Sequence, residues 1–214
     1  MNMYYAKSLF PIHIFQNNIK NNHILQDELL EKIENMHQSG KMKVPDGWLT
    51  SNLSTSFSYF DENKSLFNET QTLETYYDYV SKFFDLETEF SIFAMWWNYY
   101  SNGEWQEQHT HVSKSIFGYP PTFSCVHFLK FNPEIHEPLI FVDPNEHLRY
   151  SSLDMEFTGY NNRYKLNVRE GDLVMFPSYL THYVRPGKPT PEYPRITIAF
   201  NLILQKYGTL TPNN

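Results

Sequence analysis

The rhythm of hydrophobic and polar positions changes once along this chain, close to Leu86. Before that point apolar residues recur at helical spacing. From Asn22 to about Ser39, Leu25, Leu29, Ile33 and Met36 return every three or four residues with Glu and Lys between them, which predicts an amphipathic helix stopped at Gly40. A second helix is predicted from about Thr72 to Phe84, where Leu73, Tyr76, Tyr77, Val80, Phe83 and Phe84 form the apolar stripe and Thr72 is the candidate N-cap. Between the two, Lys41 to Gln71 is polar and rich in Ser and Asn, and reads as loop with a short strand near Ser54 to Tyr59. Ahead of the first helix, Tyr4 to Phe15 reads as an opening strand, which Pro11 suits to a sheet edge.

Beyond Leu86 the pattern becomes short apolar runs between turn residues. Strands are predicted at Phe90 to Tyr100, Gln106 to His111, Thr122 to Phe131, Leu139 to Val142, Arg163 to Val168, Leu173 to Phe176 and Arg195 to Leu204. Seven short strands of this kind suit an antiparallel two-sheet jelly roll, with the helices buttressing the outside of one sheet. The expected fold is therefore mainly β (α+β): one domain over residues 1–214, in which residues 1–89 support a β core over residues 90–205. Two long loops, Asp143 to Asn162 and Tyr183 to Pro194, have the length of functional lids.

Composition narrows the partners. The formal net charge is −7 and no basic patch interrupts it, which argues against a nucleic-acid backbone as the main partner. A single cysteine, Cys125, rules out an internal disulfide framework and fits a reducing, cytoplasmic setting. No apolar run approaches the roughly 20 residues of a membrane span, and Met1 to Ile14 lacks the layout of a secretion signal. Aromatic residues make up 17% of the chain, most simply because rings fill its core. Nothing in the sequence sets an oligomeric state.

Candidate chemistry gathers in the β half. His109 and His111 stand two apart in a predicted strand, so both project to one face and can grip one ion, and a later strand can bring His182 to it. Structural zinc is not expected, because thiolates are not clustered. Alternation along the last strand sends Arg195, Thr197, Ala199 and Asn201 one way and Ile196, Ile198, Phe200 and Leu202 the other. The apolar set packs into core, so the polar set faces water or an internal cavity. A guanidinium inside a barrel needs an anion, and its fork favours a carboxylate. The same parity places Trp96, Asn98 and Tyr100 together, and aligns Glu107 with His109 and His111.

The region from about Trp96 to Leu202 resembles the double-stranded β-helix of iron(II)- and 2-oxoglutarate-dependent oxygenases, near their prolyl-hydroxylase-like branch. Tyr100-x-x-Gly103 followed by His109 resembles the strand that introduces the first metal ligand, and Ser124-Cys125-Val126-His127-Phe128-Leu129 resembles the next core strand. Gly171 through Pro177, His182, Arg195, Thr197 and Asn201 resemble the distal half. The resemblance covers about half the chain. It implies a dioxygenase that uses Fe(II), O2 and 2-oxoglutarate, with ascorbate as a possible reductant, to hydroxylate a primary substrate of peptidyl or other class. Oxidative decarboxylation of 2-oxoglutarate would yield succinate and CO2. The metal would sit on His109, His111 and His182, and Arg195 with Thr197 would hold the distal carboxylate of the co-substrate.

Two departures stand out. That family usually carries Asp or Glu where this chain has His111, so the site reads either as a three-histidine face or as one in which Glu107 or Asp143 supplies the third ligand. A tyrosine that often helps hold the co-substrate is replaced by Phe128, leaving Tyr100, Asn98 or Ser124 to substitute. Two other classes compete: a cupin-type three-histidine dioxygenase or isomerase without a keto acid, and a metal-free jelly-roll binding module. The cupin glutamate expected after His111 is missing from Val112 to Phe117. The binding module leaves a buried arginine unexplained. His13, His23, His37, His136 and His147 have no partner at ligand spacing and are expected at the surface or in loops.

Overall fold

The structure, a computed structural model, describes residues 11–84, 87–112, 120–146 and 162–206. Two antiparallel sheets face each other. The larger contains β1 (Phe15–Asn18), β8 (Asp172–Pro177), β5 (Phe123–Lys130), β10 (Arg195–Lys206), β3 (Glu89–Tyr100) and β2 (Ser54–Thr55), in that spatial order. The smaller runs β4 (Gln106–His109), β9 (His182–Val184), β6 (Ile140–Val142) and β7 (Arg163–Lys165). Three helices accompany them: α1 (Asn22–Gln38), α2 (Phe60–Asn68) and α3 (Thr72–Ser81). This is the expected jelly roll, buttressed by three helices rather than two.

The large sheet is apolar on both faces, and each face has its own core. On one side Trp97, Tyr99, Cys125, Ile196, Ile198, Phe200 and Leu202 pack against Leu25, Leu29 and Ile33 of α1, Leu66 and Phe67 of α2, and Tyr76 and Val80 of α3. On the other, Trp96, Tyr100, Phe128, Phe176 and Ala199 meet Phe141 and Val184 of the small sheet. At about 1.5–3 kcal/mol for each fully buried large side chain, the helix stripes hold α1 and α3 to the sheet without help from caps. Accordingly, neither helix has a side-chain cap: Gln71 rather than Thr72 occupies the N-cap of α3, and Thr72 is its first helical residue.

Several local expectations shift. The first regular strand begins at Phe15, after Pro11; it does lie at a sheet edge, and Tyr4 to Phe10 fall outside the described residues. Two strands that precede residue 90, β1 and β2, belong to the main sheet. β1 is held by Asp172, whose carboxylate accepts from Gln16 Nε2 and Asn18 Nδ2, both at 2.8 Å, and from the Arg169 N–H at 2.9 Å. Gly171 before it has φ 84°, as a turn there requires. Of the loop Asp143 to Asn162, residues 147–161, with His147, lie outside the described residues. Among the described residues no helix is long and apolar enough to cross a membrane.

One irregularity shapes the interior. Between Ala199↔Trp96 and Asn201↔Phe93 the β3–β10 ladder gains an extra residue on β3, and Ala94 there has φ 48°, a left-handed conformation that is strained for any residue but glycine. The bulge inverts the alternation. After it, Met95, Trp97 and Tyr99 face the helices; before it, Phe90 and Ile92 do. Phe93 and Ala94 are thereby turned toward the cavity between the sheets.

Candidate metal centre

The three histidines come together by three routes. His109 ends β4 and lies directly opposite His182 in the β4–β9 ladder, the arrangement that brings facing side chains closest. His111 lies past the strand end, not on it: its N–H donates to the Ser178 carbonyl at 2.9 Å, and its ring reaches back to β10. Ring centroids are 4.3 Å apart for His109 and His182, 5.1 Å for His111 and His182, and 5.3 Å for His109 and His111. One nitrogen from each ring falls within 4.8 Å of the others, a grouping that could hold a metal ion.

Each ring is also oriented. His109 Nδ1 donates to the Glu107 carbonyl at 2.8 Å, His182 Nδ1 to the Leu180 carbonyl at 3.0 Å, and His111 Nδ1 to Asn201 Oδ1 at 2.9 Å. With Nδ1–H engaged outward, all three Nε2 lone pairs are left for one centre, the arrangement by which surrounding groups set ligand tautomers. Asn201 Oδ1 also accepts from Ser124 Oγ at 2.8 Å, and the Ser178 and Ser124 hydroxyls are 2.9 Å apart. Burial pushes every ring toward its neutral form: His109 is lowered, His111 is lowered to about 4 and His182 lies well below the usual histidine range, the latter two further depressed by neighbouring imidazoles. Neutral, convergent imidazoles are what a divalent ion binds.

The two carboxylates considered as alternative ligands are not part of this grouping, although Glu107 lines the same cavity as His109 and His111. Neither Glu107 nor Asp143 belongs to the histidine cluster. Asp143 accepts from the Asn145 N–H at 2.8 Å in the turn after β6. A register shift in β4 between Gln106 and His109 breaks the alternation that would have aligned Glu107 with the histidines.

Arg195 is 3% exposed and opposite Tyr100 in the β10–β3 ladder; its Cζ lies 4.4 Å from the Tyr100 ring centre and 5.6 Å from that of Phe128. Its Nε and Nη1 have no hydrogen-bond partner. Burial lowers its pKa while Tyr100 raises it, and a guanidinium remains charged regardless. Tyr100 donates to Gln106 Oε1 at 3.1 Å, and its own pKa is raised, chiefly by burial. Thr197 pairs with Asn98, whose Oδ1 is buried without a partner. Arg195 and Thr197 share a strand face with Asn201, the residue that holds His111. Arg195 and two of the histidines line different cavities: the guanidinium faces a small cleft with Gly103, His136 and Lys188, and His109 and His111 face the larger one. Gly103 at that cleft has φ 77°, and a Cβ there would lie 2.6 Å from the Gly187 carbonyl.

His127 faces the helices as parity requires, with Nδ1 2.8 Å from the Tyr76 hydroxyl. His136 lies in a loop, one of the two places expected, but is buried there: it is 7% exposed, accepts from the Asn132 N–H at 3.0 Å and donates to the Tyr193 carbonyl at 2.9 Å. His37 stacks on Tyr99 at 4.0 Å. The larger cavity, about 300 Å3, takes part of its wall from Trp48, Phe57 and Phe60. Sequence reading left these in a polar loop, and no periodicity there points to a site.

An antiparallel double-stranded β-helix carrying a histidine cluster defines the class, and solved structures of low identity share the fold. A prolyl-4-hydroxylase from Pseudomonas putida superimposes with a TM-score of 0.51 at 13% identity, over 92% of this chain and 94% of that one. A prolyl hydroxylase from Trichoplax adhaerens, in complex with a hypoxia inducible factor peptide fragment, gives 0.57 at 15%, over 89% and 83%. HygX from Streptomyces hygroscopicus, with nickel and 2-oxoglutarate bound, gives 0.55 at 13%, over 89% and 82%. No curated protein sequence matches the chain. The family model described as "Putative 2OG-Fe(II) oxygenase" matches residues 94–201, half of the chain. The chain belongs to the 2OG-Fe(II) oxygenase family, whose members use iron(II) and 2-oxoglutarate.

Proposed function

We propose that His109, His111 and His182 hold the iron(II) of a 2-oxoglutarate-dependent hydroxylase, and that Arg195, with Thr197 and Tyr100 beside it, receives the distal carboxylate of the co-substrate. The observation that carries this reading is the set of three imidazoles, each oriented through Nδ1 and pushed toward its neutral form, with one nitrogen of each within 4.8 Å of the others. The orphaned guanidinium supports it. A buried cation with two unpartnered nitrogen atoms is costly unless an anion joins it, and a dicarboxylate is such an anion. Asn98, with its unpartnered Oδ1, stands two ladder positions away opposite Thr197.

When bound, iron(II) would supply oxygen activation: O2 puts one oxygen atom into succinate as 2-oxoglutarate loses CO2, and the other into a substrate C–H bond. The chain's part is to position and protect. Asn201 and the two backbone carbonyls fix the ligand tautomers, the Tyr100 and Phe128 rings exclude water from Arg195, and the bulge at Ala94 opens the wall where a primary substrate would enter. A peptidyl acceptor is the first class to try, since one solved protein of this fold binds a peptide fragment. The test is succinate release from 2-oxoglutarate by iron-loaded protein in air, which His182→Ala should abolish with the circular dichroism unchanged. Release that persists in that variant would end the assignment.

A further inference from the structure

The cavity in front of the histidines combines aromatic rings with one half-buried carboxylate, Glu107. Phe57 stands between two indoles: its ring centre is 4.9 Å from that of Trp48 at 52° and 5.1 Å from that of Trp96 at 88°. Trp96 in turn lies 5.6 Å from His111. Three rings inclined to one another therefore line a path that leads to the metal cluster. Glu107 lines the same cavity, and its Oε2 is buried with no hydrogen-bond partner. Among the described residues lining it there is no Lys or Arg.

A buried carboxylate oxygen without a partner is expensive in the free protein and is repaid by a ligand that brings a donor. Ring faces set at angles attract a cation through their quadrupoles, most strongly when water is excluded. The same walls carry no cationic side chain to neutralise a negatively charged group, and offer it only neutral donors such as Gln106, Thr110 and the unpartnered Trp96 Nε1–H. A neutral apolar ligand would suit the rings but would leave Glu107 unpaired. At about 300 Å3 the cavity has the lower size of a ligand site, enough for one side chain or a small molecule, and the net charge of −7 favours the approach of a cation.

We infer that the primary substrate presents a cationic nitrogen, an alkylammonium or guanidinium group, which sits among Trp48, Phe57 and Trp96 with Glu107 as its counter-ion. This inference rests on the oxygenase reading and deepens it. The cation could come from a basic side chain of a peptide or from a free amine, and the two share the same recognition chemistry.

The experiment uses full-length protein loaded with Ni(II), which is redox-silent, and 2-oxoglutarate, with binding followed by calorimetry and by tryptophan fluorescence. The probes are matched pairs. Nα-acetyl-lysine amide and Nα-acetyl-arginine amide stand for a peptide and are set against neutral Nα-acetyl-norleucine amide; choline stands for a free amine and is set against neutral 3,3-dimethylbutanol. At least one cationic probe should bind ten times more tightly than its neutral partner, and Glu107→Gln should reduce that ratio to below three while keeping Ni(II) and 2-oxoglutarate binding. Which pair discriminates identifies the source. Ratios below two in both pairs, or a ratio unchanged in Glu107→Gln, overturn the inference. Loss of Ni(II) affinity in Glu107→Gln also overturns it, because the carboxylate is then a metal ligand. Should that variant not fold, Trp48→Leu takes its place, read by calorimetry: it must weaken the cationic probe at least fivefold and the neutral one less than twofold. Failure of Ni(II) and 2-oxoglutarate to bind the unaltered protein is a different result and strikes the oxygenase reading itself.

Discussion

Arg195 makes opposite demands on the free and the liganded protein, and Arg195→Met separates them. In the free protein Nε and Nη1 are buried without partners, and the guanidinium's contacts are with Tyr100, whose ring centre is 4.4 Å away, and with the Phe128 ring at 5.6 Å. A ring contact of this kind is worth about 0.5–2 kcal/mol, against a desolvation penalty of several kcal/mol for a buried ion. Methionine, of similar length and apolar, removes the penalty along with the contacts. The ligand-free variant should therefore melt at the wild-type temperature or up to about 4 °C above it, since 1 kcal/mol shifts a chain of this size by about 2–4 °C. Binding of 2-oxoglutarate moves the other way. Two free charged donors, at about 1.5–3 kcal/mol for each hydrogen bond, imply a loss of roughly hundredfold to ten-thousandfold in affinity. The assay is calorimetric titration of metal-loaded protein with 2-oxoglutarate beside a thermal melt of the free protein, with Arg195→Lys as an intermediate that keeps the charge and loses the fork. A Met variant that binds within threefold of wild type, or whose free form melts several degrees lower, would show the guanidinium to be a structural prop and refute the reasoning.

Three further outcomes follow from other residues. Asn201→Ala removes the acceptor of His111 Nδ1–H and should weaken metal affinity by about 10- to 100-fold, measured by competition with a chromophoric chelator, with little change in the fold. His127 is held at about 3 by burial, below the usual value near 6.5. The unfolded chain therefore takes up a proton between those values that the native protein refuses, so this residue's stabilisation is complete above about pH 6.5 and is lost as pH falls toward 3, at about 1.4 kcal/mol per pH unit. In urea titrations of metal-free protein between pH 4 and 6, His127→Gln should flatten that acid limb by about one proton's worth, and an unchanged slope would count against burial as the cause. Ala94 at φ 48° predicts that Ala94→Gly is neutral or stabilising by up to about 1 kcal/mol and that a β-branched Ala94→Val is destabilising by more than that; equal melting temperatures for the two would remove the strain argument.

What the sequence made legible was whatever a period or a spacing encodes. The stripe of α1, most of that of α3 and the two-faced alternation of β10 appear as expected, because each is decided within one element by burial, although Tyr77 of the α3 stripe is exposed. The convergence of His109, His111 and His182 was legible as an outcome, although its cause differs in part: His111 is placed by a backbone contact to Ser178 and by Asn201, not by strand alternation. Helix α2 was missed because Phe60, Leu66 and Phe67 leave too short a stripe in a polar segment to register as a period. The cavity wall was missed for a related reason. Trp48 and Phe57 act through the tertiary packing of a loop, and the bulge at Ala94 that opens the wall is a register event between two strands, which has no local signature beyond an alanine.

The imidazole of His111 in place of the family's usual carboxylate moves charge rather than merely removing it. Three neutral imidazoles would leave a bound divalent ion its full charge, and Arg195 adds another positive charge on the same strand face as Asn201. A dianionic co-substrate held as proposed would meet both, so its Coulomb attraction would grow as that of the ligand set for the metal shrinks. The stretch that carries the histidines does contain a carboxylate, Glu107, but the register shift before His109 leaves it outside the cluster and at the wall of the cavity. On the proposed reading it would act there on what enters the cavity rather than as a ligand of the metal. A single extra residue in β4 would then separate two tasks that one acidic ligand would have blurred: the cationic end of the site would be kept for the co-substrate, and the anionic wall for a positively charged substrate.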